Sequence, residues 1–159
     1  MQDLLAFPAS SRIWIFQADT PLPAESIGIV NMRVREFSRA WTSHNTALKA
    51  TGGLLHDKFL VLVADESHAG ASGCSIDTSV RCIRQLGEEY GVDFFDRLRF
   101  SYLEDEQVKE IHRDDIREAY RNGLINDQTL FFDNLVKNKE EFLTRWLTPF
   151  GESWMKRFV

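Results

Sequence analysis

The sequence predicts an α+β fold with a β-α-β-β-α-β core over residues 10–104 and a helical C-terminal extension over residues 105–159. The first and third predicted strands, residues 12–18 and 58–64, are almost continuous apolar runs, which is typical of strands buried on both faces. The second and fourth are polar or alternating, as edge strands are. In a ferredoxin-like fold the first and third strands are central and parallel and the other two are edges. Burial pattern and strand order therefore predict the same arrangement.

The length and charge of the chain limit the classes of protein it can belong to. Its 159 residues suit one domain, and its 43% hydrophobic and 27% charged content is that of a globular protein. The net charge of −5, with acids and bases interleaved, argues against a nucleic-acid partner held by bulk electrostatics. No apolar run has the length of a membrane span, and the first residues lack the basic region of a signal peptide. We therefore expect a single domain over residues 1–159, cytoplasmic, without a nucleic-acid or membrane partner.

The two cysteines also favour the cytoplasm. Cys74 and Cys82 lie about two turns apart on one predicted helix, too far from each other for a disulfide. Two unpaired thiols are typical of a reducing compartment.

The first predicted helix covers residues 24–43, after a break rich in proline. An apolar stripe at helical spacing runs along it and consists of Val30, Val34, Phe37 and Trp41. Residues 47–51 form a weaker, more polar strand. The glycine pair that follows, Gly52-Gly53, indicates a hairpin turn.

The second predicted helix spans residues 71–90 and is amphipathic. Its apolar face is formed by Ile76, Val80, Ile83, Gly87 and Tyr90. Gly91 is suited to end this helix, because glycine readily adopts the left-handed conformation found at helix C-termini. Residues 97–103 then alternate between polar and apolar side chains, which predicts a half-exposed edge strand.

The C-terminal extension is predicted to be mainly helical. Residues 106–121 are charged with a modest apolar side, which favours a helix closed by Asn122-Gly123. Residues 129–132 suit either a fifth strand or a buried turn. Asn138, with an acidic residue three positions later, predicts the start of another helix.

The predicted parallel arrangement brings two loops together. The loops after the first and third strands would leave the same edge of the sheet, which places Gln17 and Asp19 near the start of the second helix. That helix start is rich in small and polar residues, namely Ser72, Gly73, Cys74, Ser75 and Asp77. Free backbone N–H groups at a helix start bind anions. We therefore expect a site here for a small anion or a phosphorylated ligand.

Two functional interpretations of this helix start are open. In the first, the N–H groups hold an anion with help from Arg81 or Arg84. In the second, Cys74 is a catalytic nucleophile, its thiol activated by the helix N-terminus and deprotonated by His68. The remaining candidate bases are His44 and His56.

A third interpretation gives the same residues a structural role. Ser72, Ser75 or Asp77 caps the helix, Gly73 forms a tight turn, and Cys74 is a small buried hydrophobic residue. Serine and aspartate are common at helix N-termini for capping alone. The spacing of residues predicts where a site lies but does not select among the three interpretations.

Several activities are excluded by the absence of their motifs. One residue too many separates Cys74 from Arg81 for a cysteine phosphatase. The phosphate-binding loop G-x-x-x-x-G-K-[ST] does not occur, which excludes nucleotide hydrolysis by that route. The histidines and cysteines lack the spacings of metal sites, so we expect no metal ion and no cofactor.

Four short segments carry a resemblance to a known family: WTSH at 41–44, FLVLV at 59–63, SGCSID at 72–77 and SW at 153–154. The whole chain resembles uncharacterised bacterial proteins of similar length, typical of the Bacteroidetes group, and the SGCSID string is its most specific part. Some members carry the label "ABC transporter ATPase". This chain contradicts that label, because it lacks the lysine loop and is too short for a transporter's nucleotide-binding domain. The resemblance implies a bacterial cytosolic origin and no particular reaction.

These observations favour a non-catalytic binding or interaction module, with a homodimer as one expected form. The alternative is a thiol-dependent enzyme that uses Cys74 as its nucleophile, the helix N–H groups as oxyanion donors and a histidine as base. The reactivity of the two thiols distinguishes these alternatives.

Overall fold

The computed structural model describes residues 2–159 and has a mixed α+β fold. Its strands are β1 (Arg12–Gln17), β2 (Thr42–Ser43), β3 (Thr46–Ala47), β4 (Lys49–Leu55), β5 (Phe59–Asp65), β6 (Arg99–Glu104), β7 (Gln107–His112), β8 (Leu130–Phe132) and β9 (Leu147–Pro149). Its helices are α1 (Ile27–Ala40), α2 (Gly73–Tyr90), α3 (Ile116–Arg121) and α4 (Lys139–Arg145). No helix among the described residues is both long and apolar enough to cross a membrane.

The strands form two main sheets in which neighbouring strands are antiparallel. The first sheet has the order β1-β5-β4 and the second has the order β7-β6-β8-β9. β2 and β3 form a separate small hairpin. Tight turns join β4 to β5 and β6 to β7, as antiparallel neighbours allow.

Three clusters of buried side chains show how the layers pack. α1 and α2 cover one face of the first sheet, where they contact Leu60 and Leu62 of β5. The opposite face of β5, with Phe59 and Val61, packs against the second sheet around Phe132. α3 and the C-terminal turns cover the outer face of the second sheet. The layers therefore follow the order helices, sheet, sheet, helices.

The observed topology differs from the ferredoxin-like arrangement predicted from burial. β1 runs antiparallel to β5, with Arg12 beside Ala64 and Gln17 beside Phe59, so the predicted parallel pair is wrong. β5 is central and buried along its whole length, whereas β1 lies at the edge of its sheet. The fourth predicted strand corresponds to β6, which belongs to the second sheet. Burial on both faces arises here from a helical layer and a second sheet, and it carries no information about strand direction.

The glycine pair at 52–53, predicted to be a hairpin turn, lies inside β4. The turn between β4 and β5 is at residues 56–57, whose φ angles of 50° and 56° are left-handed. Packing explains the glycine at position 52. An added Cβ on Gly52 would lie 2.8 Å from Leu62 Cδ2 and 3.0 Å from Val34 Cγ1. The missing side chain therefore allows α1 to lie close to β4.

The C-terminal third contains more strand than predicted. Residues 106–121, predicted to be one helix, form β7 and the short α3. Asp105 and Glu106, with φ angles of 49° and 62°, form the tight turn that folds β7 back onto β6. Val108 and Ile111 then pack on opposite faces of the second sheet, as the two-residue period of a strand requires. Their spacing of three residues is equally compatible with a helix, which is why the prediction was wrong.

Other elements agree with their local signals. Residues 129–132 contain β8, which pairs with β6 in the second sheet. Of the two predicted alternatives for this segment, a strand and a buried turn, the strand is therefore correct. α2 ends at Gly91, whose φ of 68° is left-handed, as predicted. α4 begins after Asn138, whose side chain accepts a 2.9 Å hydrogen bond from the Glu141 backbone nitrogen. α1 lies within the predicted helix over residues 24–43, although it is shorter than that helix.

Candidate functional site

The two halves of the predicted site lie at opposite ends of the first sheet. Gln17 pairs with Phe59 at the start of β5, whereas the segment leading to Ser72 leaves from Asp65 at its end. The length of β5, about 20 Å, separates these two ends. The predicted proximity of Gln17 and Asp19 to the start of α2 is therefore wrong, because it depended on parallel strands.

The start of α2 is a helix cap whose polar groups bond to one another. Ser72 Oγ accepts a hydrogen bond from the Ser75 backbone nitrogen, and Ser75 Oγ accepts one from the Ser72 backbone nitrogen. The Ser75 hydroxyl lies 2.9 Å from the Thr42 oxygen, to which it donates, and Trp41 Nε1 donates to the Ser75 oxygen at 2.8 Å. Ser72 and Ser75 therefore have the capping role of the third interpretation.

The other residues predicted for this site are exposed. They are Gly73, Cys74, Asp77 and Arg81 on α2, and His68 in the preceding loop. Cys74 is thus not the buried residue that the third interpretation expected. Cys74 and His68 share no hydrogen bond in the part of the chain that the structure describes.

A cleft of about 510 Å³ opens where the ends of the two sheets meet. Aromatic rings from distant parts of the chain line it, namely Phe16, Phe95, Phe100 and Trp154. The rings of Phe16 and Phe95 meet edge to face, with their centroids 5.6 Å apart. Leu135, which is 63% exposed, lies at its edge. Both the volume and the apolar lining are typical of a small-molecule site.

A chain of hydrogen bonds fixes the polar side chains of this aromatic cleft. Gln17 Nε2 donates to the Arg99 backbone oxygen at 3.3 Å, and Asn134 Nδ2 donates to Gln17 Oε1 at 3.0 Å. Trp146 Nε1 in turn donates to Asn134 Oδ1 at 3.0 Å. Each primary amide carries two N–H donors, so Gln17 and Asn134 each retain one that these bonds do not use. Two fixed amide side chains therefore belong to the lining of the cleft, next to its aromatic rings.

Two arginines and one aspartate lie at the mouth of the aromatic cleft. Arg99 Nε is 3.3 Å from Asp96 Oδ2, which balances the charge of this arginine. Arg97 is exposed and forms no ion pair with the described carboxylates. The mouth of the cleft thus has an excess of one positive charge.

A buried charged cluster lies beside the aromatic cleft. Lys58 is only 2% exposed and forms an ion pair with Glu110 of β7, which links the two sheets. Burial lowers the pKa of Lys58 to about 8, because it disfavours the ammonium form; the charge of Asp19 opposes this effect and that of Arg99 adds to it. Ser101, opposite Glu110 in the β6–β7 pair, has a buried hydroxyl without a hydrogen-bond partner among residues 2–159. Because Lys58 and Ser101 are enclosed, we assign this cluster a role in joining the sheets.

Of the residues that line the aromatic cleft, the sequence predicted only Gln17 as a site residue. It predicted the wrong neighbours for Gln17, namely those at the start of α2. Residues 94–100, which combine three phenylalanines with three charged side chains, carry a signal that could have indicated a ligand site. Asn134 and Trp154 carry no such signal, because they reach the cleft only through the pairing of the second sheet. Lys58 precedes an apolar strand in the sequence, and nothing in its surroundings there indicates Glu110 as its partner.

The side chains of the aromatic cleft favour binding through apolar contact, hydrogen bonds and charge. Within residues 2–159, no group of three or more His, Cys, Asp or Glu side chains is arranged to hold a metal ion. No family model, curated protein or solved structure matches the chain.

Proposed function

We propose that the protein is a non-catalytic binding module whose aromatic cleft holds a small carboxylate with an aromatic or aliphatic body. One observation carries this proposal: the lining of an apolar cleft contains two fixed amide side chains and an excess positive charge. Removing apolar surface from water supplies the binding free energy, while a few polar groups set the orientation of the ligand. A carboxylate is the group that this set of donors and charge favours.

The polar groups of the cleft are suited to an acceptor. The unused N–H groups of Gln17 and Asn134 can donate to carboxylate oxygens, and both side chains are already held by their other bonds. Little side-chain entropy is therefore lost when the ligand binds. Arg97 adds the positive charge that distinguishes a carboxylate from a neutral amide of the same shape.

The aromatic cleft is a better place for an anion than the start of α2, where the sequence predicted one. The capping pair Ser72 and Ser75 already uses donors of that helix turn. Gly73 and Cys74 are exposed, whereas Gln17 lies among the aromatic rings of the cleft.

Calorimetric titration with 1-naphthoate tests the proposal. We expect saturable binding to the wild-type protein and weaker binding of the neutral 1-naphthamide. Leu135→Trp should weaken naphthoate binding by about tenfold or more, because an indole at the edge of the cleft fills part of the ligand volume. The side-chain amide resonances of Gln17 and Asn134 should shift on titration.

Leu143 on α4 provides a matched control, since it is 59% exposed and does not line the cleft. Leu143→Trp should leave naphthoate binding unchanged. The proposal is wrong if Leu135→Trp and Leu143→Trp have equal effects. It is also wrong if the amide resonances of Gln17 and Asn134 stay in place across a series of aromatic and aliphatic carboxylates.

The second proposal is a thiol-dependent enzyme with Cys74 as its nucleophile. It is favoured by the exposure of this thiol in the first turn of an 18-residue helix, where backbone N–H groups can act as oxyanion donors. His68 could act as base only if the loop before α2 brings it to Cys74, since the two share no hydrogen bond among the described residues.

Alkylation by iodoacetamide tests the second proposal. At pH 8, Cys74 should react about tenfold or more faster than Cys82, because Cys82 is half-buried and burial raises the pKa of its thiol. Mass spectrometry of digests assigns the two rates, and Cys74→Ser should remove only the fast one. A reaction of Cys74 that persists well below pH 8 supports the enzyme. A reaction that requires the pH of an ordinary thiol contradicts it.

A further inference from the structure

A second, smaller cleft is lined by three arginines. It has a volume of about 320 Å³ and lies between the start of α3 and the C-terminal 3-10 helix, Trp154–Phe158. The residues that define this arginine cleft are Arg113, Asp114, Arg117, Arg157 and Phe158. We propose that the arginine cleft binds the phosphate group of a small phosphomonoester.

The charge of the arginine cleft is unbalanced. Its carboxylate, Asp114, is already bonded to Arg113, with 3.0 Å between Oδ1 and Nε. Arg117 and Arg157 form no ion pair with a carboxylate of residues 2–159. Three guanidinium groups and one carboxylate leave an excess of two positive charges, in a chain whose net charge is −5. A phosphomonoester, with a charge of about −1.5 to −2 at pH 7, balances this excess.

Two of the arginines are held in place by their neighbours. The guanidinium of Arg157 lies over the rings of Trp154 and Phe158, 4.8 Å and 5.1 Å from their centroids. The bond from Arg113 Nε to Asp114 orients that side chain and leaves both of its terminal amino groups free to donate. Planar guanidinium groups match phosphate oxygens with paired hydrogen bonds, so the cleft presents several suitable donors before a ligand arrives.

The aromatic wall of the arginine cleft favours an organic phosphate over the free ion. Phe158 lines the cleft and stacks on Phe100, with centroids 5.7 Å apart and planes inclined by 29°. Its ring offers apolar contact to the organic group of a phosphomonoester, which inorganic phosphate lacks. The ligand class is therefore a phosphomonoester with an apolar or aromatic body.

The arginine cleft has its own lining residues, although Phe158 and Arg157 contact Phe100 and Trp154 of the aromatic cleft. The five residues that line the arginine cleft are absent from the lining of the aromatic cleft. The carboxylate proposal and the phosphate proposal can therefore succeed or fail separately.

Calorimetric titration at low ionic strength, with phenyl phosphate and inorganic phosphate as probes, tests the inference. Phenyl phosphate should bind saturably and more tightly than inorganic phosphate. Arg117→Gln and Arg157→Gln should each weaken the binding of phenyl phosphate by about tenfold or more, because each removes charge-assisted hydrogen bonds. Arg145→Gln is the matched control, since Arg145 is exposed on α4 and does not line the cleft. It should leave binding unchanged.

Phenol serves as a probe for contact with the ring alone, and circular dichroism verifies that each variant is folded. The inference is overturned if phenyl phosphate does not bind saturably, or if Arg145→Gln weakens binding as much as Arg117→Gln does. Equal binding of phenol and phenyl phosphate also overturns it, because the phosphate group would then contribute nothing. Tighter binding of inorganic phosphate than of phenyl phosphate overturns the assignment to a phosphomonoester.

Discussion

Replacing Phe59 with alanine is expected to lower the free energy of unfolding by about 3–5 kcal/mol. The side chain is fully buried between the two sheets, and its ring centroid lies 4.7 Å from that of Phe132 and 5.1 Å from that of Trp146. Deleting the ring removes these contacts and leaves a cavity that the neighbouring rings can fill only by giving up contacts of their own. Urea unfolding followed by circular dichroism measures the change.

A graded series distinguishes the loss of packing from a general effect of substitution. Phe59→Leu keeps part of the apolar volume and should cost less than Phe59→Ala. Leu143→Ala removes a side chain that is 59% exposed and should change stability by no more than about 0.5 kcal/mol. If Phe59→Ala were as mild as Leu143→Ala, the packing of the two sheets around Phe59 would be refuted.

The stability of the wild-type protein is expected to rise between pH 8 and pH 10.5 relative to that of Lys58→Met. Burial lowers the pKa of Lys58 from 10.5 to about 8 in the folded protein. Between these two values the unfolded chain binds more protons than the folded chain, so raising the pH favours the folded state. The full difference corresponds to about 3 kcal/mol. Urea unfolding at a series of pH values measures the slope.

Lys137→Met is the control for the loss of a positive charge, because Lys137 is exposed. This variant should keep the rise in stability that Lys58→Met loses. A parallel pH dependence in the wild type and Lys58→Met would contradict the lowered pKa of Lys58.

Glu110→Gln tests the ion pair between Lys58 and Glu110. Unpairing a buried charge typically costs about 3–5 kcal/mol. Here Lys58 can instead release its proton, because burial already lowers its pKa. The loss of the ion pair should therefore cost less than this range at pH 7 and should become smaller above pH 9. A cost that is large at pH 7 and constant up to pH 10 would contradict this explanation.

The errors made from the sequence share one cause. The apolar runs at β1 and β5 predict buried strands, and β5 is buried throughout, yet the runs do not specify that Gln17 pairs with Phe59. Val108 and Ile111 fit a helix by their spacing, but their partners lie on opposite faces of the second sheet. In both cases the deciding contacts involve residues far away in the chain.

The sequence alone determined those elements whose signals lie within a few consecutive residues. The Gly91 end of α2, the Asn138 cap of α4 and the burial of β5 follow from backbone conformation, capping and local hydrophobicity. Tertiary structure alone decided the direction of β1, the aromatic and arginine clefts and the pairing of Lys58 with Glu110. Each of these depends on how separate layers pack, and that packing is set by contacts between residues that no local pattern relates to one another.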